Sequence, residues 1–300
     1  MRDHYHGVAE TDLAMASRAE QKAQARAARI EREQKVAEAA SRRRRLVMLG
    51  GVVGVAAVVL IVAIVISSSG GGTTASNGPE SATAKAAETR VSSLLAGIPE
   101  FGDNGLGKST APVTVTEYGD LECSVCDEFA LSPSFQTAEG GPGTGYEDQL
   151  ISQDVRTGQV KLIYKSLETA SSGSPIANVF PTQQAAAYAA GLQGKGWYYI
   201  ELFYNEQGRE GTGYVTSAYL DNIAKQIPGL NYSKWLADRN EASLIAQVNS
   251  ENSAGSALDA PAGGASTPTL VIAGPKGQAD PIVGLPTSWN ELESDIKSVE

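Results

Sequence analysis

Apolar and polar positions change rhythm several times along the chain. From Leu46 to Ile66 they do not alternate at all: LVMLGGVVGVAAVVLIVAIVI carries no charge over twenty-one residues. At the helical rise that length crosses a hydrocarbon core of roughly 30 Å, so the segment predicts a single transmembrane helix. A 45-residue head precedes it, unlike the short basic head of a cleaved signal peptide, which predicts an uncleaved anchor. Positive flanks stay in the cytoplasm, so the run Arg42–Arg45 predicts a cytoplasmic N-terminus and an extracytoplasmic C-terminal part. Residues 1–45, rich in Ala, Glu, Gln, Lys and Arg, read as a charged helical tail. Residues 67–90 are Gly, Ser, Thr and Ala without apolar periodicity and read as a flexible linker. The folded region is then expected over 91–300.

Within that region Pro112–Tyr118 alternates as a strand does, with Val113, Val115 and Glu117 sharing one face. Val160–Lys165 predicts a second strand. The long crossover between them, helical after Cys126 and interrupted by AEGGPGTG at 138–145, implies parallel pairing. From about 182 to 258 the pattern is helical. Thr269–Ala273 reads as a strand that the Gly274–Gly277 turn returns to Ile282–Val283 as a hairpin. Ser288 and Glu291 form a capping box for a last helix with Trp289, Leu292, Ile296 and Val299 on one face. The order strand, helix, strand, helical block, hairpin, helix is an α/β arrangement.

Charge sharpens the division. The net is +4 over residues 1–45 and −14 after the apolar segment. So acidic a C-terminal part argues against nucleic acid as a partner, since phosphate binding rests on clustered Lys and Arg.

The chain has two cysteines, Cys123 and Cys126, and two histidines, His4 and His6. A strand ends just before the cysteines and a helix opens at them, where unpaired N–H groups and the helix dipole stabilise a thiolate. Cys123 is expected to be the exposed nucleophile, and Cys126, one turn further in, the thiol that attacks the mixed disulfide. A zinc site needs about four ligands; no further cysteine exists and both histidines precede the apolar segment, so no metal is expected. A purely structural disulfide would close too small a loop to gain much chain entropy. Two unrelated buried thiols are the remaining alternative.

The segment Val113–Ala130, VTVTEYGDLECSVCDEFA, resembles the active-site segment of the DsbA family of thioredoxin-fold disulfide oxidoreductases. Ala265–Ile272, ASTPTLVI, is similar to that family's cis-proline loop, and AAGLQGKGWYYIELFYNEQG to its inserted helical domain. The resemblance covers residues from about 105 to 300. It implies a thioredoxin-like core with a helical insertion, a catalytic pair Cys123 and Cys126, and Pro268 as the cis-proline facing them. In that role Pro268 presents the backbone of Thr267 to an extended substrate, in the manner of strand addition; the alternative is a trans proline starting a strand. Glu117 matches the family's buried acid. On an apolar face its pKa would rise and it would accept a proton from Cys126, unless the carboxylate reaches solvent at the strand end.

The resemblance further implies protein thiols or disulfides as substrates, a membrane redox partner that resets the pair, and no cofactor beyond the cysteines. The dipeptide Ser124-Val125 departs from the family's best-known form in lacking histidine, and Glu122, Asp127 and Glu128 add negative charge nearby. A less depressed thiol pKa and a less oxidising couple are therefore expected. A non-catalytic binding or chaperone domain with a static disulfide is the competing function; it would need neither Glu117 nor Pro268.

Gly102–Ser109 fits the phosphate-loop pattern G-x-x-x-x-G-K-S letter for letter. That loop must lead into a helix, whereas Pro112 and a strand follow, so nucleotide binding is not expected. Absence of histidine after residue 6 removes Ser–His–Asp and Cys–His schemes. The aromatic run Trp197, Tyr198, Tyr199, Phe203 and Tyr204 is read as core packing.

Overall fold

The computed structural model describes residues 82–102, 104–259 and 263–300. The expected tail, transmembrane helix at 46–66 and most of the linker lie outside them. Among the described residues no helix is long and apolar enough to cross a membrane.

The first described element corrects the linker boundary. Residues Ala82–Leu95 form helix α1, where a tether was expected as far as 90. Its alanines favour the helix, and Ala84, Ala87, Val91 and Leu95, spaced three or four apart, are buried. That spacing is the stripe by which a helix docks on a core.

The strands are β1 (Glu100–Phe101), β2 (Gly105–Leu106), β3 (Val113–Gly119), β4 (Val160–Ser166), β5 (Thr269–Gly274), β6 (Gly277–Gln278) and β7 (Ile282–Val283). They form one sheet in the order β1-β2-β4-β3-β5-β6, with β7 also pairing to β5. Strand β3 is central: it runs parallel to β4, from Val113↔Val160 to Gly119↔Ser166, and antiparallel to β5, from Thr114↔Ala273 to Tyr118↔Thr269. The alternation along β3 and β4 buries Val113, Val115 and Glu117, and Val160, Leu162 and Tyr164. The phosphate-loop look-alike contains the hairpin strand β2 and is followed by β3, with no helix between them.

Between β3 and β4 run α2 (Ser124–Ala130) and α3 (Tyr146–Leu150), the latter prolonged by a π-helical turn, Ile151–Val155. The loop joining them is tight: a side chain at Gly143 would put its Cβ 1.9 Å from the Leu131 carbonyl oxygen. Between β4 and β5 lie α4 (Val179–Gly191), α5 (Gly196–Asn205), α6 (Ser217–Gln226), α7 (Tyr232–Asp238) and α8 (Ala242–Asp259). Trp197, Tyr199, Phe203 and Tyr204 of α5 are buried in the core. The chain ends in α9 (Trp289–Val299), where Ser288 accepts from the Glu291 N–H at 3.2 Å. The reciprocal half of the capping box is displaced by one residue: Glu291 accepts from the Thr287 N–H.

The register of β5 positions the site. Because β5 is antiparallel to β3 and starts at Thr269 opposite Tyr118, the residues just before β5 lie at the end of the sheet where β3 runs into Cys123.

Candidate active site

Asp120 shapes the turn that delivers the cysteines. Its backbone carbonyl accepts from the Cys123 N–H at 2.9 Å, and its buried carboxylate accepts from the N–H groups of Glu122, Thr169 and Ser171, from the Ser171 hydroxyl and from Gln183. The turn is thereby tied to the loop after β4. From that loop the Thr169 hydroxyl hydrogen-bonds the Thr267 hydroxyl at 2.6 Å, which links it to the Thr267–Pro268 segment. The Thr267–Pro268 bond is cis. A third anchor is Asp259 at the end of α8, buried, which accepts from the Ser266 N–H and the Thr269 hydroxyl.

These anchors bring Cys123 and Thr267, 144 residues apart, together: the Cys123 thiol donates to the Thr267 carbonyl oxygen at 3.6 Å. Both cysteines are free thiols. Cys123 is less open than expected, only 6% exposed, and Cys126 is fully buried. The reason is the overlying backbone around Thr267. Its remaining edge borders a shallow groove of about 390 Å³ lined by Ser124, Val125, Thr169, Glu210 and Thr267. Glu210, from the loop between α5 and α6, accepts from the Ser124 N–H at 3.3 Å and the Ser124 hydroxyl at 2.9 Å, which sets a carboxylate at the mouth of the groove.

The two thiols are driven apart in acidity. Cys123 is lowered to about 7, first by a hydrogen bond from the Cys126 thiol and then by the Thr267 side chain and the N–H groups of Cys126 and Val125, against burial, which acts the other way. Cys126 is raised well above its ordinary value, by burial first and then by its bond to Cys123 and the nearby Glu117. One thiol thus ionises near neutral pH and the other keeps its proton. The negative charge expected around the pair is reduced, because burial pushes both Glu122 and Asp127 up to about 7.

Glu117 is fully buried and does not reach solvent at the strand end. Burial raises its carboxyl to about 7. Sequence reasoning missed its neighbours. Glu147 from α3 and Glu201 from α5 are also fully buried, and Arg90 of α1 binds Glu201 at 3.2 Å and Asp148 at 2.6 Å. Nothing in the sequence sets Glu147 and Asp148 apart from ordinary acids in the first turn of a helix, and Arg90 lies in the expected tether. Only the fold brings them to one place. Among the described residues no group of His, Cys, Asp or Glu is arranged to hold a metal ion.

Buried carboxyls with raised values give a stability prediction. In the folded state Glu117 and Glu201 hold their protons to about 7, against an ordinary 4.5. The folded state therefore binds more protons than the unfolded one between those values. Their contribution is complete below the unfolded value and is lost as pH rises through the folded one. The urea midpoint is expected to fall from pH 4.5 to pH 7, and Glu117→Gln to flatten that fall. A midpoint that rises across this window contradicts the assignment.

A family model described as thioredoxin matches residues 102–282 of the chain. No curated protein matches it significantly. Among solved structures it is similar to oxidised BdbD from Bacillus subtilis, at 20% identity and a TM-score of 0.48, over 68% of this chain and 96% of that one. It is similar to DsbA from Chlamydia trachomatis at 20% identity and a TM-score of 0.47, over 65% and 89%. Similarity to DsbA2 from Pseudomonas aeruginosa is 20% with a TM-score of 0.42, over 65% and 92%. With a family model covering more than half of the chain, and with the paired cysteines at the head of a helix after the central strand, this protein belongs to the thioredoxin family.

Proposed function

We propose that this protein is a membrane-tethered, extracytoplasmic thiol–disulfide oxidoreductase of the DsbA type, exchanging disulfides with protein thiols or disulfides through Cys123 and Cys126. The observation that carries the reading is the asymmetry of the pair. An edge-accessible Cys123 lowered to about 7 stands before a buried Cys126 that keeps its proton, as an attacking and a resolving thiol require. Thr267, whose carbonyl oxygen lies 3.6 Å from the Cys123 sulfur, and the cis-linked Pro268 are the proposed substrate-binding segment. Glu117 is the proposed proton acceptor for Cys126. The chemistry needs no cofactor beyond the cysteines.

Tethering rests on the charge-free stretch 46–66 behind Arg42–Arg45, which would place the catalytic domain outside the cytoplasm. There a membrane redox partner would reset the pair.

The value at Cys123 bears on direction. A nucleophile of about 7 is typical of thioredoxin, whereas that of DsbA lies near about 3.5. A fragment starting at Ala82, where helix α1 begins, is expected to show a reduction potential nearer the roughly −270 mV of thioredoxin than the roughly −120 mV of DsbA, and to reduce insulin disulfides with dithiothreitol as the electron source. A potential at the DsbA end would overturn the assignment of direction. Failure both to reduce insulin and to oxidise a dithiol peptide would overturn the exchange reading itself.

A further inference from the structure

Glu117 does not stand in the interior alone. It projects from β3 and Glu147 from the first turn of α3, both fully buried. No amide, guanidinium or hydroxyl donor reaches any of their four oxygens, while each carboxyl is near enough to the other to alter its hold on a proton. Two carboxylates repel each other, so two buried carboxyls side by side are favourable only with a proton between them. Arg90, the cation bound in this cluster, is already held by Glu201 and Asp148 and pairs with neither.

A buried carboxylate without a donor is strongly disfavoured. Glu117 can thus be an anion here only while Glu147 stays protonated and donates to it. Burial, together with the charges of Glu117, Glu201 and Asp148, holds Glu147 well above an ordinary carboxyl, burial being the largest cause. Around Glu117 the other groups are Glu201 on α5 and Cys123 just before α2. Cys126 on α2, Tyr164 on β4 and Tyr204 on α5 also sense its charge.

We infer that Glu147 is a positioning residue for the exchange reaction: its protonated carboxyl donates to Glu117 and keeps that group an anion able to take the proton of Cys126. The inference rests on the exchange activity proposed above. In the step concerned, substrate is held on Cys123 as a mixed disulfide. The Cys126 S–H proton passes to the Glu117 carboxylate, and the Cys126 sulfur attacks the Cys123 sulfur. A Cys123–Cys126 bond forms, the bond to substrate breaks, and the substrate leaves as a thiolate that is protonated by water. The cysteine pair is oxidised and the substrate disulfide reduced. After the transfer both carboxyls are neutral, a state their shared burial favours.

The test uses the reduced full chain and 5,5′-dithiobis(2-nitrobenzoate), whose coloured thiolate is released first by Cys123 and then by Cys126. The rate of the second release is followed from acid to mildly alkaline pH. In Glu147→Leu the Glu117 carboxylate loses its donor, and the acid limb is expected to move upward by about one to two pH units, the worth of a charge-assisted hydrogen bond. In Glu147→Gln, whose amide still donates, the limb returns to the wild-type position or below it. An acid limb of Glu147→Leu that coincides with wild type overturns the inference while leaving the exchange reading intact. Absence of any second release from wild-type protein, or its persistence in Cys126→Ser, removes the exchange reading instead. Should the leucine variant not fold, infrared absorption decides. At pH 6 Glu147→Gln must show less protonated-carboxyl absorption than wild type by one group, and an equal absorption overturns the inference.

Discussion

Cys123→Ser is expected to bring disulfide exchange down to the rate of the protein-free reaction, whereas Cys126→Ser should still attack and then stall. The thiolate is the nucleophile in each exchange step, and Cys123 is the cysteine that borders the groove and ionises at about 7. Serine in its place offers a hydroxyl that stays protonated. Cys126 is fully buried and keeps its proton, so its loss leaves the first attack possible and removes the intramolecular escape from the mixed disulfide. The wild-type hydrogen bond from Cys126 is also the largest influence lowering Cys123. Cys126→Ser should therefore raise the pH at which the first attack becomes fast, because a hydroxyl at a different reach replaces that thiol. Non-reducing electrophoresis with a disulfide-bonded peptide checks both outcomes: a trapped covalent adduct with Cys126→Ser and none with Cys123→Ser. An adduct with Cys123→Ser and none with Cys126→Ser would reverse the assigned roles, and equal adducts in both would remove the asymmetry.

Asp120→Ala is expected to cost about 2–6 kcal/mol of folding stability, because it leaves two buried neutral donors unsatisfied at about 1–3 kcal/mol each. Five donors converge on this carboxylate, from Glu122, Thr169, Ser171 twice and Gln183. Alanine would strand the backbone N–H of Ser171 and the Gln183 amide in an interior where water does not replace the lost acceptor. Burial raises the Asp120 carboxyl above its usual value in spite of these donors, so part of its charge is held at a cost. Asp120→Asn, neutral and with one acceptor oxygen, should accordingly lose only about half as much. Function should suffer beyond stability, because the Thr169 loop held by Asp120 carries the hydroxyl that binds Thr267. Denaturant unfolding gives the first number, and the second-phase release rate of the folded fraction gives the second. An Asp120→Ala protein within about 1 kcal/mol of wild type would show that the network relaxes onto other partners.

Several features of this molecule are written locally in its sequence. The central strand was legible because Val113, Val115 and Glu117 repeat every second residue, and a strand with one buried face must show that period. The cysteine pair was legible because two residues separate the thiols, and a strand and a helix flank them. Pro268 was placed by the resemblance of ASTPTLVI to a cis-proline loop, and the structure has that bond cis. Helix α1 was missed although Ala84, Ala87, Val91 and Leu95 carry helical spacing, because small alanines give a weak apolar signal beside a Gly- and Ser-rich stretch.

What the sequence could not determine is whatever depends on several elements meeting. Glu147 looks like any acid in a first helical turn, and Arg90 like any charge on an alanine-rich segment. Burial decides what they are, and burial is a property of packing. The antiparallel register of β5 against β3 decides that Thr267 stands over Cys123, and so turns an expected exposed nucleophile into one that shows only an edge. The sequence by itself determined the atoms proposed to react, since their chemistry resides in single side chains. Tertiary structure decided their acidity, because desolvation, the charge of Glu201 on α5, and hydrogen bonds from α2, α3 and the Thr267 segment before β5 set the energy of each proton.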